Sequence, residues 1–133
     1  MDRIFLDATI LFSAAYLEVS GLARLWTFDD VELLSSAYAI VEARRNLLID
    51  RHAALPRFER LTARVSIVDA PRDRELPAGL RLDPKDRPIL MAAIHGQADF
   101  LLTGDARHFA HLYSKRVSGV LVLRPAQYFA RRR

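Results

Sequence analysis

Cysteine is absent from the 133 residues, which excludes a disulfide framework, a thiolate zinc site and a cysteine nucleophile together. Glycine and proline are sparse, at five and six, so the chain is neither collagen-like nor a low-complexity linker. Long apolar runs are missing as well. The longest, such as Ala8 to Leu17, are cut by polar residues short of the roughly 18 that a bilayer requires, and no membrane span is predicted. Lysine is confined to Lys85 and Lys115, so arginine supplies almost all the positive charge. That bias suits phosphate recognition and equally suits a plain compositional preference. Before the first apolar run, Met1-Asp2-Arg3 offers neither a basic leader nor a small-residue cleavage site, and a cytoplasmic location is the expectation.

What is present is core-forming material. Hydrophobic residues make up 51% and charged residues 27%, with a net charge of +4, in a chain of the length of one ordinary domain. One domain over residues 1–133 is expected. Arg3-Ile4-Phe5-Leu6 reads as a strand ending at Asp7, and Thr9 to Glu18 has helical spacing up to a break at Ser20-Gly21. A short helix from Leu22 to Thr27 precedes a second strand, Val31 to Leu34, after which Ser35-Ser36 offers a cap for a helix over Ala37 to Ile49. Ala53 to Arg64 is helical in pattern, Val65 to Val68 reads as a third strand, and Asp69 to Lys85 is the one long irregular stretch. The apolar run Pro88 to His95 suits a buried helix stopped by Gly96, and Phe100 to Thr103 a central strand. A short amphipathic piece, Ala106 to Tyr113, leads to the strand Val120 to Leu123 and a terminal helix from Pro125 that ends in a solvated basic tail, Arg131-Arg132-Arg133. Alternating strands and helices predict an α/β fold with a mostly parallel sheet covered on both faces, whose binding sites lie at the carboxyl ends of the strands.

Two acids fall at such ends. Asp7 follows the first strand directly, and Asp105 follows the fourth after a Thr103-Gly104 step. Each could simply cap the next helix, but their shared edge lets them meet. Asp83 and Asp86 precede the buried helix, and spacing alone favours caps over ligands. Glu42 lies in the Ala37–Ile49 helix away from an apolar stripe of Ile40, Val41, Leu47 and Leu48, which makes it a polar-face residue with Arg45 a ready partner at i+3. Carboxylates gathered in one pocket repel one another, and a cation stabilises the arrangement. Hard oxygen donors suit Mg²⁺ or Mn²⁺, which activate water and, when paired roughly 3.5–4 Å apart, stabilise an in-line phosphoryl displacement.

Taken in order, Ile4-Phe5-Leu6-Asp7-Ala8-Thr9, Ser36 with Ile40-Val41-Glu42, Asp83-Pro84-Lys85-Asp86-Arg87-Pro88-Ile89-Leu90, and Ala98-Asp99-Phe100-Leu101-Leu102-Thr103-Gly104-Asp105 resemble the PIN-domain nucleases. Within that family the chain is similar to the small proteins that include toxins of VapBC-type toxin–antitoxin systems, and the likeness spans almost its whole length. The resemblance implies a PIN-like three-layer α/β/α sandwich with a central, mostly parallel sheet. It also implies four metal-binding acids, Asp7, Glu42, Asp86 and Asp105, with Thr103 orienting the site and Asp86 ranked above Asp83. The implied activity is Mg²⁺- or Mn²⁺-dependent cleavage of RNA by metal-activated water, and the implied partners are an antitoxin protein and a second copy of the chain. Thr9 stands where many members carry an amide two residues after the first acid. His108 stands where a further acid often follows the fourth; a plain surface residue is the first reading, with a weaker ligand or a phosphate contact as the alternatives.

Arg44, Arg45, Arg87 and Arg107 lie near the proposed acids in sequence and could offset phosphate repulsion or pair with neighbouring acids. His52 and His95 are assigned no role. A haloacid-dehalogenase-type phosphatase would need a second Asp where Thr9 stands, and a phosphoacceptor receiver domain would need an Asp after the third strand and a late Lys. The competing reading of a different class is a catalytically silent PIN-like module that binds RNA or a protein.

Overall fold

The computed structural model describes residues 1–71 and 75–132; residues 72–74 of the irregular stretch and Arg133 of the arginine tail lie outside it. Six strands join one sheet in the order β3-β2-β1-β4-β6-β5, with β1 (Asp2–Leu6), β2 (Val31–Ser35), β3 (Ser66–Ile67), β4 (Phe100–Leu102), β5 (Arg116–Val117) and β6 (Val120–Leu123). Every pairing is parallel except that of β5 with β6. The helices are α1 (Ala8–Tyr16), α2 (Ala37–Asp50), α3 (Leu55–Thr62), α4 (Arg87–His95), α5 (Ala106–Phe109) and α6 (Pro125–Arg131). Successive strand side chains point to opposite faces, and Ile4, Phe5 and Leu6 are all fully buried, so both faces of β1 are covered. This is the three-layer α/β/α arrangement with a mostly parallel sheet.

Strand β1 is the pivot of the topology. Ile4 lies in register with Leu33 of β2 on one side and Phe100 of β4 on the other. The chain winds outward through β2 and β3, then returns across β1 to begin β4, which makes the gap between the carboxyl ends of β1 and β4 the point where winding reverses. Open α/β sheets bind ligands at that crevice.

The helix boundaries follow local chemistry. Asp7 caps α1 through Ala8, so the helix starts a residue before the expected Thr9 and ends at Tyr16. Ser36 Oγ accepts from the Ala39 amide at 3.1 Å and opens α2 as expected. The stretch Ala53–Arg64 divides into a 3₁₀ turn, His52–Ala54, and α3, which carries a proline in its first turn. Only Ser66 and Ile67 of the expected third strand pair with β2. At the end of α4, a Cβ on Gly96 would sit 2.8 Å from Val68 Cγ1, so the close approach requires glycine. Strand β5 has no counterpart in the sequence reading; it joins β6 through Ser118 and Gly119, both at positive φ, 48° and 88°, the geometry of a tight hairpin turn.

Two further expectations are corrected. The buried face of α2 is Ala39, Ile40, Ala43 and Leu47, while Val41 and Leu48 are 54% and 59% exposed. Ala39 and Ala43 face inward beside Ile40 and Leu47, in the places expected for Val41 and Leu48. The arginine tail is solvated only in part where it is described: Arg131 is exposed while lying over Phe100, but Arg132 donates to Asp30 Oδ1 at 2.7 Å and stacks 3.9 Å from the Phe28 ring centre. Among the described residues no single helix is long and apolar enough to cross a membrane, and α1, which with the bent turn after it comes nearest, buries five side chains in the core.

Candidate functional site

The end of β1 places Asp7 in the crevice beside β4, and the carboxylate is held from three directions. Its Oδ1 accepts from the Ala8 amide at 2.7 Å, and its Oδ2 accepts from Thr103 Oγ1 at 2.7 Å and Thr9 Oγ1 at 3.1 Å. Thr103 is fully buried and accepts in turn from the Asp105 amide at 3.0 Å, while Thr9 Oγ1 accepts from the Gly104 amide at 3.0 Å. The two threonines therefore stitch the turn after β1 to the turn after β4. Thr9 occupies the place where an amide was expected and fulfils a positioning role with its shorter hydroxyl. Tyr113 adds a donor to the Thr103 carbonyl at 2.9 Å, a contact the sequence reading did not anticipate.

Asp7, Glu42, Asp86 and Asp105 all line one open cleft of about 450 Å³, joined by Ser13, Asn46, Asp50 and Lys85. Asp86 occupies the capping position of α4, yet its side chain makes no cap hydrogen bond. Asp83 Oδ1 accepts from the Lys85 amide at 3.0 Å and closes the turn before α4, while the Asp86 carboxylate lines the cleft. Asp105 does cap α5, through Oδ1 to the His108 amide at 3.3 Å, with Oδ2 remaining free of that bond. Glu42 is half-buried and turned to the cleft wall, neither in the core nor on open surface, and forms no ion pair with Arg45 among the described residues.

Burial pushes the Asp7 carboxyl above the usual carboxylate range, against the hydrogen bonds from Thr103, Ala8 and Thr9, and the Glu42 charge raises it further. Asp86 is raised by burial too; His108 lowers it, and Asp105 and Asp7 raise it. No arginine or lysine comes within ion-pairing distance of these acids among the described residues. Arg44 is spent on Glu59, 2.8 Å away, and Arg87 donates to the Leu82 carbonyl. Lys85 is the cation at the cleft, supplied by a position the sequence reading passed over. Asn46 and Asp50 were missed as well, although Glu42, Asn46 and Asp50 fall at i, i+4 and i+8 and so share a helix face.

His108 is not a surface residue. Its Nδ1 lies 2.7 Å from Asp86 Oδ2 and 3.1 Å from Asp105 Oδ2, and Nδ1 and the Asp86 oxygen are both buried with no hydrogen-bond partner. The atoms are close, but the ring N–H does not point along the line between them. Donor atoms of Asp83, Asp86 and His108 lie within 4.8 Å of one another. A buried carboxylate oxygen without a hydrogen bond, beside acids with no arginine or lysine ion-pair partner among the described residues, fits a divalent cation: oxygen donors are abundant and His108 is the one basic group at ion-pairing distance against four carboxylates.

A family model for the PIN domain matches residues 3–107. Among solved structures, the chain is similar to VapBC2 from Rickettsia felis bound to a DNA fragment from its promoter, with a TM-score of 0.65 and 13% identity, over 92% of this chain and 98% of that one. It is also similar to VapBC-1 from nontypeable Haemophilus influenzae, with a TM-score of 0.58 and 15% identity, over 92% and 97%. No curated protein sequence matches significantly. At these identities the structural likeness concerns the fold, while the family match takes in β1, α2, α4 and the turn after β4 that build the cleft, and on it the chain belongs to the PIN domain family.

Proposed function

We propose that this protein is a divalent-metal-dependent endoribonuclease, the toxin of a toxin–antitoxin pair, acting in the cytoplasm. The observation that carries the reading is the buried Asp7 carboxylate, fixed by Thr9 and Thr103 at the switch point of the sheet and facing a cleft lined by Glu42, Asp86 and Asp105. Asp7, Glu42, Asp86 and Asp105 would hold Mg²⁺ or Mn²⁺, which when bound supplies an activated water and neutralises charge on the phosphodiester. The chain's own residues do the positioning. Thr103 hydrogen-bonds both the Asp7 carboxylate and the turn that presents Asp105, so two acids far apart in sequence, on adjacent strands, are held in one hydrogen-bonded unit. Lys85 offers the cleft a positive charge for backbone phosphate, and Asn46 a neutral donor and acceptor for a base or a 2′-hydroxyl. The antitoxin partner rests on the structural neighbours, which are VapBC assemblies. A homodimer rests on the family resemblance.

The test is RNA cleavage by the purified protein with Mg²⁺ or Mn²⁺, against EDTA and against a folded Asp7→Asn, Asp105→Asn double variant. Cleavage that needs the cation and disappears in the variant supports the nuclease. RNA or partner binding that is unchanged in the variant, with no cleavage by either protein, would replace it with a silent binding module.

A further inference from the structure

Behind the cleft-lining Asp86 lies one feature that four oxygen donors do not explain. His108 Nδ1 and Asp86 Oδ2 approach to 2.7 Å, both buried, and neither has a hydrogen-bond partner. A hydrogen bond weakens steeply once the donor N–H turns away from the acceptor, so this contact is not stabilised as one. Leaving two such atoms unsatisfied is destabilising, and Asp86 is 8% exposed, so water has little access. Two lone-pair-bearing atoms held this close are instead placed as neighbouring ligands of a common ion, since bonds of roughly 2.1 Å at right angles set ligand atoms about 3 Å apart. One donor atom each from Asp83, Asp86 and His108 lies within 4.8 Å of the others, so Asp83 completes a set of two carboxylates and one imidazole.

We propose that His108 Nδ1, with Asp86 and Asp83, forms a nitrogen-containing donor set that makes this chain select Mn²⁺ over Mg²⁺. The proposal rests on the metal-dependent reading above and narrows its cation. Mg²⁺ prefers carboxylate, carbonyl and water oxygens, whereas first-row transition ions accept imidazole, so one nitrogen donor separates the two. The local chain is built to hold the ring there. The His108 amide donates to Asp105 Oδ1, which pins the first turn of α5, and Phe109, the next residue, is fully buried and anchors that turn in the core.

The experiment is binding of Mn²⁺ and of Mg²⁺ to the untagged protein by calorimetry, with electron spin-echo spectroscopy of the Mn²⁺ complex, on wild type, His108→Ala and Asp83→Asn. The expected result is a ¹⁴N coupling to Mn²⁺ that vanishes in His108→Ala, a loss of about tenfold or more in Mn²⁺ affinity in that variant, and little change for Mg²⁺. Asp83→Asn should weaken Mn²⁺ while keeping the nitrogen coupling. Mn²⁺ bound without nitrogen coupling, or with unchanged affinity in a folded His108→Ala protein, overturns the proposal. A separate cleavage assay distinguishes the two failures: nitrogen coupling without RNA cleavage would sink the nuclease alone, and cleavage without coupling would sink the histidine ligand alone.

Discussion

The two edges of the sheet treat charge in opposite ways. At the amino edge, acids and bases are matched: Arg3 pairs with Glu32 at 2.5 Å and donates to the Gly96 carbonyl, Asp99 Oδ2 accepts from the Arg3 amide, and Arg132 pairs with Asp30. Tyr128 donates to Asp2 Oδ2 at 2.8 Å, and burial together with that contact pushes its hydroxyl up to about 12. At the carboxyl edge, Asp7, Glu42, Asp86 and Asp105 have no arginine or lysine ion-pair partner among the described residues, and two of them are buried. The same chain has arginine to spare, so the missing partners are not a shortage of base. An edge satisfied internally serves the fold, and an edge left charged serves a ligand.

That contrast is sharpest in function. Asp7→Asn should lower cation-dependent RNA cleavage by more than about 100-fold, the upper range for residues one step removed from a metal, because Asp7 is itself a donor. Full activity in a folded variant would end the contrast. A smaller loss, about 10- to 100-fold, is expected for Thr103→Val, which keeps the side-chain shape while removing the hydroxyl shared by Asp7 and the Asp105 amide. Cleavage rates across a Mn²⁺ titration measure it, and a loss that disappears at saturating metal would assign Thr103 to cation affinity rather than to alignment.

How much of this was legible depended on whether the signal was local. Asp7 and Asp105 could be read as edge acids because parallel strands with apolar interiors all end on one side. Glu42 and Asp86 could not be read so: helical spacing put one on a polar face and the other in a cap, and only the family resemblance drew them in. The structure explains why the spacing misled. Asp86 sits at the capping position of α4 without making the cap hydrogen bond, and the inward face of α2 sets Ala39 and Ala43 beside Ile40 and Leu47, alanines that a count of large apolar residues overlooks. The contact between His108 and Asp86 joins residues 22 apart in sequence, one in α5 and the other at the start of α4, and no periodicity carries it. Asn46 and Asp50 were within reach, since they repeat Glu42 at helical spacing. The hairpin strand β5 was marked only by Ser118-Gly119 between two valines.

The charged edge should also be legible in stability. The carboxyls of Asp7 and Asp86 are raised in the folded chain, so the native state holds their protons more tightly than the unfolded state does. Their contribution is complete below the ordinary carboxylate value near 3.8 and is lost as pH rises through the folded values. In EDTA, Asp7→Asn should therefore melt higher than wild type at neutral pH by about 3 °C or more, the scale of 1 kcal/mol in a chain of this size. The gap should close as pH falls toward 4. Mn²⁺ at about 100 times its dissociation constant should add about 2.7 kcal/mol to wild type and much less to the variant. A gap that grows on acidification would reverse the assigned sign.

The smallest effect belongs to the matched edge. Arg3 and Glu32 are over a third exposed, 37% and 38% by side chain, so solvent screens the pair and side-chain ordering offsets much of its attraction. Glu32→Gln should cost less than about 1 kcal/mol, read as a small shift in the urea midpoint with an unchanged slope, because Arg3 keeps the Gly96 carbonyl and its backbone bond to Asp99. Cleavage and Mn²⁺ affinity should not move, since the substitution lies at the opposite ends of strands from the cleft. A change in either would mean that charge at one edge of the sheet is felt at the other, and the division of labour between the edges would then have to be redrawn as a single electrostatic field.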